Sequence, residues 1–166
     1  LFLTRELAMT AVRTAIVPMV EEMMEGRLVK RPHLALVVAR RDGLDYTLVY
    51  DYNFGEVHEW EHDFDAIARA KTLITARTGL PTRVVQELHP ELLLPTDTQF
   101  WGNWIEGNII VSCSGVEPWF DEAISKSAVA VIKAMIDHAR RHAAEAHQDA
   151  NTYDGSNLRE TLFARD

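Results

Sequence analysis

The sequence is short of several things, and each shortage narrows the reading. It has one cysteine, Cys113, in 166 residues. No internal disulfide can form, so the fold must rest on packing and hydrogen bonds, and the expected setting is a reducing cytoplasm. No apolar run reaches the length of a bilayer span, and the first residues lack the basic-then-apolar layout of a secretory leader, so no membrane partner is expected. Positive charge is also scarce, with 17 Lys and Arg against 25 Asp and Glu and a formal net charge of −8. An acidic chain repels phosphate backbones, and no basic cluster is interleaved with aromatics, which argues against nucleic acid. The short runs RLVKRPH and ARRH read as solvated helix ends. Repeats and linkers are missing as well, and the length suits one domain with a real core.

Periodic order is present. TRELAMTAVRTAIVPMVEEMMEG carries Leu7, Ala11, Ala15 and Val20 at helical spacing. Thr4 is its expected N-cap, Gly26 its stop, and Pro18 predicts a kink. HLALVVAR reads as a buried strand and YTLVYDYN as its antiparallel partner, joined through RDGLD. DFDAIARAKTLITARTG is a second helix, with Asp63 or Asp65 near its start and Gly79 at its end. PTRVVQEL is a short amphipathic turn opened by Pro81. FWGNWIEGNIIVSCSG predicts two strands about Glu106-Gly107-Asn108. The clearest helix begins at EPWF, where Phe120, Ile124, Ala128, Val131, Met135 and Ala139 recur. Together these predict an α+β sandwich, an antiparallel sheet with helices packed mainly on one face. Residues 1–147 form the expected domain, and 148–166 a tail suited to an arm on a neighbouring subunit or to disorder.

Four segments are similar to the GlcG/HbpS-like family, also described as heme-degrading-domain or PduO C-terminal-domain-like. They are Ala68-Arg69-Ala70-Lys71, Gly79-Leu80-Pro81-Thr82, Ser112-Cys113-Ser114-Gly115 and the acidic pair Asp121-Glu122. Their order also agrees, and the resemblance spans about residues 4 to 145. In the family's glycine-rich loop this chain reads FWGNWI, with Gly102 flanked by Trp101 and Trp104. The resemblance implies a profilin-like domain that assembles into homo-oligomers and binds heme or a related small ligand.

Several residues are candidates for chemistry. HEWEH, from His58 to His62, matches the H-E-x-x-H pattern of helix-borne zinc hydrolases. That mechanism needs both imidazoles on one helical face and a third ligand, whereas the resemblance places the segment in a loop ahead of the second helix. A polar loop with two exposed histidines is the expected reading, and a metal at His58 and His62 the rival. His138 and His142 form a second i, i+4 pair, a candidate chelate, but cationic histidines near a helix C-terminus are the expected reading. Lys71 stands on the helix face carrying Phe64, Ile67 and Ile74, so its stem should be buried. It is a candidate anion partner, or a lysine paired with Asp or Glu. Trp101 and Trp104 offer flat walls for a planar ligand, or rim residues closing the core or an interface. Ser112 and Ser114 are candidate hydrogen-bond donors, and Cys113 between them reads as a small strand hydrophobe or a nucleophile. Asp121 and Glu122 read as dipole-matching residues in a first helical turn. The expected activity is small-ligand binding. An enzyme using Lys71 or a metal at His58/His62, and a non-catalytic assembly subunit, are the alternatives.

Overall fold

The computed structural model describes residues 3–152. Four antiparallel strands, β1 (Leu34–Asp42), β2 (Asp45–Phe54), β3 (Asn103–Glu106) and β4 (Ile109–Ser114), form one sheet in the order β2-β1-β4-β3. Both hairpins fall where the turn residues predicted them. Gly43 and Gly107 take left-handed φ values of 64° and 59° at the two bends, the conformation such tight turns demand. A bulge at Val49 shifts the β1–β2 register, so that Val38 faces Tyr50 but Ala39 faces Leu48.

The two faces of the sheet are covered differently. The N-terminal helix α1 (Arg5–Ala11) passes through a π-helical turn, Val12–Ile16, into α2 (Val17–Glu25). With α5 (Pro118–Thr152) it covers the face bearing Leu34, Leu36, Val38, Val111 and Cys113. That face holds the larger core, with Val12, Ile16, Ile124 and Ile132 buried in it. The helix α3 (Phe64–Thr78) covers the opposite face, over Ala35, Val37, Ala39 and Ile110. The architecture is therefore the expected α+β one, with α1, α2 and α5 on one face and α3, joined at the β3 edge by the helix that follows it, on the other. Small side chains on β1 let α3 lie close.

Local chemistry explains the element ends. Thr4 accepts from the Leu7 N–H and caps α1, and Asp63 accepts from the Ala66 N–H and caps α3. Gly79 ends α3 at φ 75° with its N–H donated to the Thr75 carbonyl. At Pro18 the chain widens the preceding turn. A proline ring crowds the carbonyl four residues back, here Thr14, and the π turn over Val12–Ile16 contains that residue. Pro81 precedes α4 (Thr82–Leu88). The last helix runs to Thr152, past the boundary expected after residue 147. The rest of the expected tail lies outside the described residues. Among the described residues, no helix is long and apolar enough to cross a membrane.

Candidate functional site

Three elements converge on one ammonium group. Lys71, in the middle of α3, donates from Nζ to the Cys113 carbonyl at the end of β4, at 2.6 Å. It also faces Asp121 Oδ2, from the first turn of α5, at 3.3 Å. The other oxygen of Asp121 accepts from the Val116 N–H at 3.4 Å. Lys71 is 1% exposed and Asp121 3%. Two charges removed from water this completely lose more hydration than a single contact returns. Burial pushes the Asp121 carboxyl up to about 7, against the pull of Lys71. Burial likewise pushes the Lys71 ammonium down, and Asp121 offsets only part of that. Both shifts favour the uncharged forms, which sets an amine beside a carboxyl group within proton-exchange distance.

The loop before β3 closes over the pair. Gly102 has φ 132°, and a Cβ there would meet Asp121 Cβ at 2.5 Å and Lys71 Nζ at 3.3 Å. Glycine is the residue that permits this approach. The loop is held from below by the fully buried Asn103. Its Oδ1 accepts from the Thr82 N–H at 2.8 Å and the Thr82 hydroxyl at 2.9 Å. Its Nδ2 lies 2.7 Å from Thr75 Oγ1 and 3.2 Å from the Lys71 carbonyl. Thr82 in turn accepts from the Gly102 N–H at 3.0 Å. A satisfied polar network of this kind fixes one loop position.

Above the pair is a cavity of about 250 Å³. Lys71, Asp121 and Ser114 line its polar floor, and Phe64, Ile67, Trp101 and Val116 its apolar walls. Exposed Lys30 and His62, half-buried Arg31, and Phe100 lie at the mouth. Arg31 stacks on the Phe64 ring at 5.2 Å, which leaves its guanidinium directed by an aromatic face.

The expected residues divide clearly. Lys71, Trp101 and Ser114 line the cavity together. Ser112 does not: it is buried under α3, its hydroxyl bonded to Thr72 at 2.8 Å and to Asn103 at 3.2 Å. Trp104 does not either. It pairs with Val111 in the β3–β4 register and packs on the α5 face, with Lys126 Nζ 4.1 Å over its ring. One residue step along a strand reverses the side chain, and Asn103 holds the position facing α3. HEWEH is a loop. Only Val57–Glu59 form a 3₁₀ turn, and Trp60 leaves it extended, so His58 and His62 do not share a helical face. His58 lies 3.8 Å from Glu56 at the surface, whereas His62 reaches the cavity. Among the described residues no group of three or more His, Cys, Asp or Glu side chains could hold a metal ion. His138 and His142 stack edge to face at 4.3 Å on α5.

Other parts of the site escape sequence reasoning. Asp121 and Glu122 are adjacent in sequence but separate in role. Asp121 turns to Lys71, while Glu122 accepts from Arg83 Nε at 2.9 Å and ties α4 to α5. Lys30 and Arg31, read as a solvated basic run, stand at the mouth. Their signal was a basic pair directly ahead of the first strand. Cys113 is fully buried, and burial pushes its thiol up to about 12, which removes it as a nucleophile. No protein-family model matches this chain, and no curated protein matches it.

Proposed function

We propose that this protein binds a small anionic ligand with a planar apolar body in the cavity above Lys71 and Asp121. The observation that carries this reading is the ordering of the cavity: cations at the mouth, aromatic and aliphatic walls, and a buried hydrogen-bonding pair at the floor. Small-ligand sites are built this way, with few polar groups in an apolar concavity. Support for a GlcG/HbpS-like domain comes from the convergence of the four similar segments. Lys71, Thr82, Ser114 and Asp121 all lie within or directly beneath this site.

Heme or another tetrapyrrole is the ligand that resemblance offers. Lys30 and Arg31 suit its carboxylates, and His62 supplies an imidazole at the mouth. The cavity of about 250 Å³ is near the lower bound of ligand pockets, roughly 300–1,000 Å³, so it admits one edge of a macrocycle or a whole single-ring acid. The reading includes a homo-oligomer in a reducing, cytoplasmic setting. Leu88, Leu92, Leu94 and Phe100 are exposed along the segment leading to the mouth, which supports self-association beside the site.

The test is a pair of titrations of the purified protein, one with hemin and one with 4-methylbenzoate, followed by Soret absorbance and tryptophan fluorescence. Saturation at a fixed ratio per chain is expected for at least one of them. Trp101→Ala should weaken it by about 1–2 kcal/mol, roughly tenfold in Kd. Non-saturating signals with both probes sink the reading.

A further inference from the structure

Building on the pocket reading above, we propose that Lys71 is a nucleophilic amine. It forms an imine with a small aldehyde or ketone that carries a carboxylate or phosphate, and Asp121 gives and takes the protons. The chain has four lysines, Lys30, Lys71, Lys126 and Lys133. Lys126 and Lys133 keep side chains 44% exposed, and Lys30 is exposed at the cavity mouth. Only Lys71 is buried and also lines a cavity floor. An amine must shed its proton to act as a nucleophile, and desolvation beside a proton-accepting group promotes this.

The geometry around Nζ suits the reaction. Its bond to the Cys113 carbonyl at 2.6 Å fixes the head of a flexible side chain. Asp121 at 3.3 Å is close enough to exchange protons with the amine and with an oxygen bound next to it. Gly102 carries no side chain at the one place where a Cβ would press on both groups. The apolar walls exclude water, which favours condensation over hydrolysis. Lys30 and Arg31 at the mouth would hold the anionic end of a compound whose carbonyl points inward.

The step balances without a further reagent. The Nζ lone pair attacks the carbonyl carbon and forms the C–N bond. The carbonyl π pair moves to oxygen, which takes the Asp121 proton, and the carboxylate then accepts a proton from nitrogen. Asp121 returns that proton to the hydroxyl, which leaves as water while the nitrogen lone pair closes the C=N bond. Amine and carbonyl become iminium and water; transfer of the remaining N–H proton to the Asp121 carboxylate gives the imine and restores the acid, and addition of water reverses the sequence.

The experiment uses the whole chain at pH 7 with 4-carboxybenzaldehyde and cyanoborohydride, followed by peptide mapping of all four lysines. The expected result is one reduced adduct per chain at Lys71, slowed by 4-methylbenzoate. It should form at least about tenfold faster than adducts at Lys126 and Lys133, because the desolvated amine and proton exchange with Asp121 favour reaction there. Asp121→Asn, its fold checked by circular dichroism, should slow the Lys71 adduct and change its pH profile. Adducts confined to the exposed lysines while 4-methylbenzoate still binds would overturn the nucleophile and leave the pocket standing. Absence of both the Lys71 adduct and 4-methylbenzoate binding would overturn the pocket together with the nucleophile.

Discussion

Gly102 rests against Asp121 so closely that a Cβ on the glycine would lie 2.5 Å from the Cβ of the aspartate. The same Cβ would stand 3.1 Å from the Pro118 carbonyl, and the backbone there has φ 132°. Neither the loop nor the first turn of α5 can yield without opening the site. Gly102→Ala should therefore cost about 1–3 kcal/mol for its backbone conformation alone, with the steric clash adding to that. Urea unfolding reads the cost and the titrations read the site. Wild-type stability with unchanged binding would show that the contact is not close.

The Lys71–Asp121 pair predicts an asymmetry between single and double substitutions. Asp121→Ala leaves the buried Lys71 head group without its hydrogen-bond partner and should cost about 1–3 kcal/mol. Lys71→Met with Asp121→Leu removes both polar groups, and in urea unfolding the double variant should recover much of that loss. Additive losses would mean that the two side chains do not interact.

The same pair sets a pH dependence. Asp121 moves from an ordinary 3.8 to about 7 on folding, so between those values the folded chain holds a proton that the unfolded chain has lost. Its contribution to stability is fully present below about pH 4 and is lost as pH rises through 7. Lys71 is shifted the other way, so its own contribution returns as pH climbs toward the usual lysine range. Asp121→Asn should flatten the slope between pH 4 and 7 in a series of urea midpoints. An unchanged slope would place the titrating group elsewhere.

Much of the scaffold was legible because its signals are local. Thr4, Asp63 and Gly79 act as the caps their types suggested, and Gly43 and Gly107 make the two bends. Lys71 stood out as a charge on an otherwise apolar helix face. What stayed hidden depends on contacts across the chain. Asp121 meets a lysine 50 residues away, and nothing within its own helical turn distinguishes it from Glu122. Lys30 and Arg31 reach the cavity only because β1 begins beside the end of β4, where Ala35 pairs with Ser114. Trp104 was a different kind of error. Strand alternation already placed it on the face opposite Asn103, but two tryptophans around one glycine suggested a single wall.

Cys113 offers a check on how tightly the sheet is sealed. Its side chain is fully buried and its thiol is pushed up to about 12, so thiolate is scarce at neutral pH. Reaction of the native protein with iodoacetamide at pH 8 should be at least about a hundredfold slower than that of the urea-unfolded chain, following opening rather than thiol chemistry. Fast labelling of the folded protein would contradict the packing of β4 against α5.

The two tryptophans of the FWGNWI stretch should separate cleanly under substitution. Trp104 packs against the α5 face and carries the Lys126 ammonium over its ring, at the edge of the larger core. Trp104→Ala should lower stability by about 2–3 kcal/mol, less than for a fully buried indole because this one is half-buried. It should leave the affinity for 4-methylbenzoate within about twofold of wild type, because the sheet stands between its ring and the cavity. Trp101 lines the cavity and is half-exposed. Trp101→Ala should cost less than about 1 kcal/mol of stability and take the affinity down with it. The ratio of the two effects is the informative quantity, since a general loosening of the loop would lower both together. If Trp104→Ala weakened the ligand as much as Trp101→Ala, the binding surface would have to extend onto the α5 face, and the cavity above Lys71 would no longer account for recognition.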